Sequence, residues 1–406
     1  MFIFIKIGYK NLFRNKRRSV LTSIVIGLGL ASMIITDGFM DGMSENMVKT
    51  ITTGMVTEGQ VHNPLFSDSF DAKDVIMEKD KVEKILSNDA QVENYAKRVI
   101  SFAMLSSARN MRNITVYGVD PEKEKQVTTT YKYVSEGKYV EDEQSLLVGS
   151  LLLERLEVEL GDKVVLTVAE AHSGELSQVL LRISGVLTAG SKEMDENAAF
   201  IHIKKAQSIF NIGQNYHEIA IKFRDRSVGE QETYPLWAQL NHTGNKGESW
   251  KGIVASFTEI MGMVDQSKGI MAFILMLLVG VGIVNTLFMS IYERMFEFAV
   301  LRALGTKSRE IIIMVMSEAG AMAVMSVVLG LIITVILALP LGLSGIDYGG
   351  MEFADVTIRE PIFYEFHWSQ ITSFPVATFM FTVLISIYPA YHAAKVTMAQ
   401  AIKKTL

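Results

Sequence analysis

The sequence predicts a membrane protein: four α-helical spans with a large α+β extracytoplasmic domain inserted between the first and second. Three observations carry this reading. Mean hydropathy is +0.25 and 49% of residues are hydrophobic, yet 20% are charged, so the charge must be segregated from the apolar runs. Four stretches approach or reach the roughly 20 apolar residues that a hydrocarbon core requires. Lys and Arg gather in three places, ahead of the first stretch, between the second and third, and after the fourth, as the positive-inside rule asks of cytoplasmic segments.

Residues 1–18 read as an interfacial amphipathic helix. Phe2, Ile5, Tyr9 and Leu12 recur at helical steps while Lys6, Lys10, Arg14 and Arg17 follow a second face, a pattern suited to the headgroup plane. The first span, 19–40, contains "VLTSIVIGLGLASMIIT". No small-x-small site precedes Asp37, which argues for an anchor over a cleaved leader. The later spans are 270–292, 311–343 and 371–394. Between the second and third, 293–310 carries Arg294, Arg302, Lys307 and Arg309; the tail 395–406 carries Lys395, Lys403 and Lys404. Both belong inside. The loop 344–370 holds Asp347, Glu352, Asp355, Glu360 and Glu365 against Arg359 and belongs outside. Residues 41–267 then form the outer domain, with both chain termini cytoplasmic.

The edges of that domain look helical and continuous with the spans. Met40, Met43 and Met47 keep helical spacing after the first span, as do Phe257 and Met261 before the second, and these five mark a stalk. Eight runs between them have strand character: "GQVHN", "RVISFAML", "NITVYGVD", "SLLVGSLL", "DKVVLTVAEA", "QVLLRISGVL", "AAFIHI" and "HEIAIKF". "SLLLERLEVEL" reads as a helix ended by Gly161, and 241–249, "NHTGNKGES", as a loop.

Chemistry is sparse. With no cysteine, disulfides, thiolate metal sites and cysteine nucleophiles are excluded. A net charge of -5 supplies no nucleic-acid footprint. The seven histidines are scattered, with no H-E-x-x-H, and no G-x-S-x-G elbow exists. "GTKS" at 305–308 lacks the glycine that a phosphate-binding loop places five residues before its G-K-[ST]. The expectation is a chain without a catalytic site, metal or bound cofactor. Glu318, close to the third span, has two open roles: a functional acid within the membrane or an anchor at headgroup level.

The charged segment is the distinctive one. On a helical wheel Met295, Phe296, Ala299, Val300 and Ala303 fill one arc, while Arg294, Glu297 and Arg302 share the other with Phe298 and Leu301. Gly305 suits a helix end that needs a left-handed backbone; Thr306 or Ser308 can cap the next helix, with Glu310 in its first turn.

"ERMFEFAVLRALGTKSREI" resembles the signature of FtsX-like permeases, the membrane subunits of ABC transporters that include the lipoprotein-releasing and macrolide-exporter types. Its family positions fall on Glu293, Arg294, Glu297, Leu301, Ala303, Leu304, Gly305, Arg309, Glu310 and Ile311. "NLFRNKRRSVLTSIVIGLGLA" resembles the family's opening and "MSEAG" its third span. "DGFMDGMSENMVKTITTGMVTEGQVHNP" and "ESWKGI" look like the lipoprotein-releasing type. Met295 and Phe296 are greasier than usual, and the outer domain has no proline-bearing hook of the kind that recruits a chaperone.

The resemblance implies a subunit without an ATPase of its own. A separate cytoplasmic ABC ATPase dimer, using ATP and Mg, would seize Glu293, Arg294, Glu297, Phe298, Leu301, Arg302 and Gly305. It would thereby move the outer domains of two permeases, identical or homologous, in the bacterial inner membrane. Gly27, Gly29, Gly280 and Gly282 would permit close approach between subunits. The implied cargo is a lipoprotein or another amphiphile, with a periplasmic carrier or adaptor as a further partner. The alternatives within the family are an efflux subunit for drugs or peptides and a signalling permease that regulates cell-wall hydrolases.

Overall fold

The structure, a computed structural model, describes residues 16–347, 351–353, 356–358 and 361–395. The interfacial helix expected over 1–18 and the tail 395–406 fall almost wholly outside them. The chain divides into two compact units, one of residues 1–44, 261–347 and 361–406, the other of residues 45–260 and 348–360.

Among the described residues, four helices have the length and apolarity to cross a membrane: α1 (Lys16–Thr53), α2 (Ala255–Glu293), α4 (Ser308–Ser344) and α5 (Trp368–Ala394), with the short α3 (Met295–Ala303) between α2 and α4. No proline interrupts α1 or α2, so each runs unbroken well beyond its apolar window. Ile26, Val279, Ile283, Leu287, Ala319 and Met322 form one buried cluster joining α1, α2 and α4. Ile270, Phe273 and Val281 on α2 and Ile332 and Val335 on α4 face outward.

Small residues set the spacing inside this unit. A Cβ on Gly27 would lie 3.0 Å from the Gly330 nitrogen and the Ser326 carbonyl oxygen, so α1 and α4 touch backbone to backbone. Gly29 abuts Val279, and Gly280 abuts Phe381 and Ile385. Three of the glycines expected to serve contacts between subunits therefore serve contacts within the chain. Nothing lies within 4 Å of a Cβ on Gly282. Gln370 is buried, and its Nε2 donates to Asp37 (3.0 Å) and Asp41 (3.1 Å), while Lys268 Nζ meets Asp41 at 2.6 Å. This node ties α1, α2 and α5 together.

The second unit is built on a ten-stranded mixed sheet. Its strands are β1 (Gly59–His62), β2 (Val92–Ser106), β3 (Met111–Val119), β4 (Val134–Gly137), β5 (Ser145–Gly149), β6 (Lys163–Ala169), β7 (Leu176–Leu187), β8 (Ala198–His202), β9 (Glu218–Phe223) and β10 (Lys246–Ser249). The order is β10-β1-β9-β2-β3-β8-β5-β7-β4, and β6 pairs with both β2 and β7. β3/β8 and β5/β7 are parallel. All eight runs read from the sequence contain strands, although the run 145–152 turns to helix at Ser150. The expected loop at 241–249 instead ends in β10, because backbone pairing with β1 holds a stretch that has no apolar alternation. The helix expected to reach Gly161 spans Ser150–Leu156 and stops at Glu157, which adopts φ 52°.

Arg98 is the largest polar side chain in this core. Its guanidinium meets Glu124 at 2.7 Å and Glu218 at 2.8 Å, and it also donates to the Met55 carbonyl just beyond the end of α1. Helix ends leave carbonyls without partners, and apolar residues cannot supply donors. Thr129 N donates to Thr53 O (2.8 Å) and Gln60 Nε2 to Val56 O (3.0 Å), completing the cap. Two carboxylates share one guanidinium here, and burial raises the Glu218 carboxyl despite the Arg98 charge.

Candidate functional site

The turn from α2 to α4 is held from within. Arg294, at the α3 N-cap, directs Nη1 to Glu318 Oε2 at 2.7 Å and Nε to Glu297 Oε2 at 3.1 Å, with its guanidinium carbon 5.2 Å from the centre of the Phe298 ring. Ser290 Oγ donates to the other Glu318 oxygen at 3.3 Å. Glu318 is thereby the internal anchor of the loop, one turn of α4 facing the end of α2. This brace within the chain is distinct from both roles left open by the sequence, a functional acid within the membrane and an anchor at headgroup level.

Phe298 is 1% exposed and packs among Ile291, Ile311, Met314, Val315, Ala390 and Ala393. Leu301 joins the same cluster, and Arg302 Nη1 donates to the Ala394 carbonyl at 2.6 Å, closing the end of α5. Phe298 and Leu301 thus face the spans. Glu293, Phe296, Glu297, Ala303 and Leu304 lie on the exposed side, Leu304 at 79%. Burial therefore divides α3 differently from the helical wheel: Phe298, Ala299 and Leu301 are inner, while Phe296, Glu297 and Ala303 are outer.

Gly305 takes φ +98°, as its position beyond a helix end requires. Thr306 N donates to Leu301 O at 3.0 Å, tightening the turn. Lys307, not Thr306 or Ser308, is the N-cap of α4. Its backbone nitrogen is satisfied by Glu310 Oε2 at 2.8 Å, half of a capping box without the hydroxyl.

The stalk residues fall in both units. Met47 and Phe257 are buried in the second, Phe257 with its ring centre 6.2 Å from that of Trp250; Met40, Met43 and Met261 are half-buried in the first. Sequence reading missed the Arg294–Glu318 pair. The available signal was an acid two turns into α4 facing a basic residue at the end of α2.

Four apolar helices with an α/β domain inserted after the first, and a braced charged turn between the second and third, are the layout of a transporter permease. The chain belongs to the FtsX-like ABC transporter permeases with a MacB-like periplasmic core: the MacB-like periplasmic core domain family matches residues 19–231, and the FtsX-like permease C-terminal family matches 269–398. In this family the ATPase is a separate partner. This chain is 21% identical to the lipoprotein-releasing system transmembrane protein LolE of Haemophilus influenzae, covering 96% of each chain. Identity to LolC of Neisseria meningitidis is 21% over 98% of each. An uncharacterized ABC transporter permease of Methanocaldococcus jannaschii, MJ1507, is 20% identical over 98% of this chain and 97% of its own.

Proposed function

We propose that this permease couples ATP hydrolysis by a cytoplasmic ABC ATPase dimer to movement of its outer domain, releasing or extruding lipoproteins or other amphiphilic cargo from the inner membrane. The α2–α4 turn carries the reading. A surface that receives force from another protein must be stiff behind and open in front, and α3 is both: Arg294–Glu318, Phe298 and Arg302 brace its inner side, while Glu293, Phe296, Glu297 and Leu304 face outward. The basic residues of this turn support a cytoplasmic location for it and for both termini. A second permease, identical or homologous, completes the transporter, and ATP and Mg reside in the ATPase.

Similarity to LolE and LolC supports lipoprotein release as the task. The MacB-like periplasmic core supports a second reading, extrusion of drugs or peptides through a periplasmic adaptor. Lost lipoprotein sorting on depletion selects the first; altered drug sensitivity alone selects the second.

The docking surface is tested by affinity purification from detergent-solubilised host membranes. Wild-type chain should recover a stoichiometric ABC ATPase, and Glu297→Lys should lose it. Glu297→Gln, which keeps an acceptor for Arg294, separates charge reversal from loss of the internal bond. Full ATPase recovery with Glu297→Lys would refute the docking role.

A further inference from the structure

The two long helices enter and leave the second unit at one edge of its sheet. α1 ends at Thr53, and only 54–58 separate it from β1; β10 ends at Ser249, and only 250–254 separate it from α2. β1 and β10 are antiparallel neighbours, paired from Gly59 with Ser249 to His62 with Lys246. Trp250 N donates to Glu58 O at 3.2 Å, extending the pairing toward the helices. Separating the roots of α1 and α2 would tear this ladder.

A chain of charges runs beside the ladder. Arg226, in the short helix Arg226–Gly229 that follows β9, places Nη2 at 2.8 and 2.7 Å from the two carboxylate oxygens of Glu45 on α1. Its Nε donates to Glu230 at 3.1 Å. Glu230 in turn accepts from Trp250 Nε1 at 3.1 Å and pairs with Lys251 Nζ at 3.0 Å, both at the root of α2. One guanidinium and one carboxylate therefore connect the two helix roots through the body of the domain. Partly exposed pairs contribute little to folding, so what this relay offers is fixed geometry.

We infer that Arg226 is a positioning residue of the transport cycle: through Glu45 and Glu230 it locks the root of α1 to the root of α2, so that both helices drive the outer domain as one arm. The inference rests on the transmission reading above. Were the roots free to slide past each other, movement of the helices would be spent in shearing β1 against β10.

The absence of cysteine makes the test direct. In the complex copurified with its ATPase, nitroxide labels at Lys49→Cys and Glu259→Cys, both exposed, report the separation of α1 and α2 near their roots. In a second sample, dyes at Arg112→Cys and Lys307→Cys report movement of the outer domain against the cytoplasmic turn. Both are measured without nucleotide and with ATP trapped by a hydrolysis-deficient ATPase.

The expected result is a narrow 49–259 distance that ATP leaves unchanged while the 112–307 distance shifts. Adding Glu45→Gln and Arg226→Gln should broaden the 49–259 distribution or make it respond to ATP. A 49–259 distance that changes with ATP in the unaltered relay overturns the locked arm and leaves transmission standing. A distribution that stays narrow and fixed in the relay variant overturns the role of Arg226. A 112–307 distance that ignores trapped ATP overturns transmission itself, and the arm with it.

Discussion

Arg294 and Glu318 meet at 2.7 Å, their side chains 12% and 11% exposed, and this single pair joins the end of α2 to the third turn of α4 behind the exposed face of α3. Removing one partner of a buried pair strands the other charge, at a cost of about 3 kcal/mol or more. Ala299, 1% exposed on the inner side of α3, is a reporter of that loss. In the Ala299→Cys chain, Glu318→Ala should speed maleimide labelling by on the order of a hundredfold, the equivalent of about 3 kcal/mol. An unchanged rate would show that the pair does not hold α3 in place.

Two phenylalanines two positions apart should separate bracing from docking. Phe298→Ala empties a buried site and should destabilise the detergent-solubilised protein by about 3–5 kcal/mol. Phe296, 55% exposed, should change stability by no more than about 0.5 kcal/mol on truncation. Yet Phe296→Ala should lower ATPase retention in the purified complex. Thermal unfolding beside ATPase recovery checks both; full retention with Phe296→Ala would remove that side chain from the docking surface.

Glycines of the spans divide in the same way. Gly27→Val sets a branched side chain against the α4 backbone and should destabilise by about 1–3 kcal/mol. Gly282→Ala meets no neighbour within 4 Å and should be neutral or stabilising by up to about 1 kcal/mol through helix propensity. Melting temperatures in one detergent decide it. Equal losses would mean that Gly282 is covered in the assembled transporter.

The outer domain should lose stability on the acid side through His217. Burial holds its imidazole below the usual range; Nδ1 accepts from Ile100 N at 3.0 Å and Nε2 bonds the Ala72 carbonyl at 2.9 Å, so the neutral ring is the fitted form. With the folded value lowered, the unfolded chain takes the proton first. Stability is present above about pH 6.5 and falls below it toward the folded value, by roughly 1.4 kcal/mol per pH step. His62 has the opposite sign: burial lowers it, but the Glu248 bond, the Asn63 carbonyl and nearby carboxylates outweigh burial and raise it. Its contribution is complete below about pH 6.5 and is lost as pH rises through the folded value. Melts at about pH 5 to 8 should show His217→Gln flattening the acid loss and His62→Gln flattening the loss at higher pH; a His217→Gln curve parallel to wild type would refute the first assignment.

The spans and eight strands were legible because long apolar runs and alternating residues announce themselves by composition and period. β10 was not, since Lys246–Ser249 alternates nothing apolar and is a strand only because β1 pairs with it. The loop between α2 and α4 was legible as a helix and a glycine turn. Its inner and outer faces were not: Phe296 and Phe298 are equally apolar, and only the positions of α4 and α5 decide that the second is covered. Arg98 gave no local sign of burial, because its partners Glu124 and Glu218 lie on other elements and far along the chain.

The unbroken run of α1 has a consequence in distances. Its 38 residues span about 57 Å at 1.5 Å per residue, nearly twice the roughly 30 Å of a hydrocarbon core. A 10° rotation about one end of so stiff a rod displaces the other by roughly 10 Å, two helical pitches, with no bond broken along its length. Prolines inside the long helices stand only in α4 and α5, at Pro340, Pro375 and Pro389, so proline bends fall in the helices that do not lead into the sheet. A small angular change at the Lys16 end of α1 is thus a displacement on the order of 10 Å at Thr53, the residue whose carbonyl Thr129 grips.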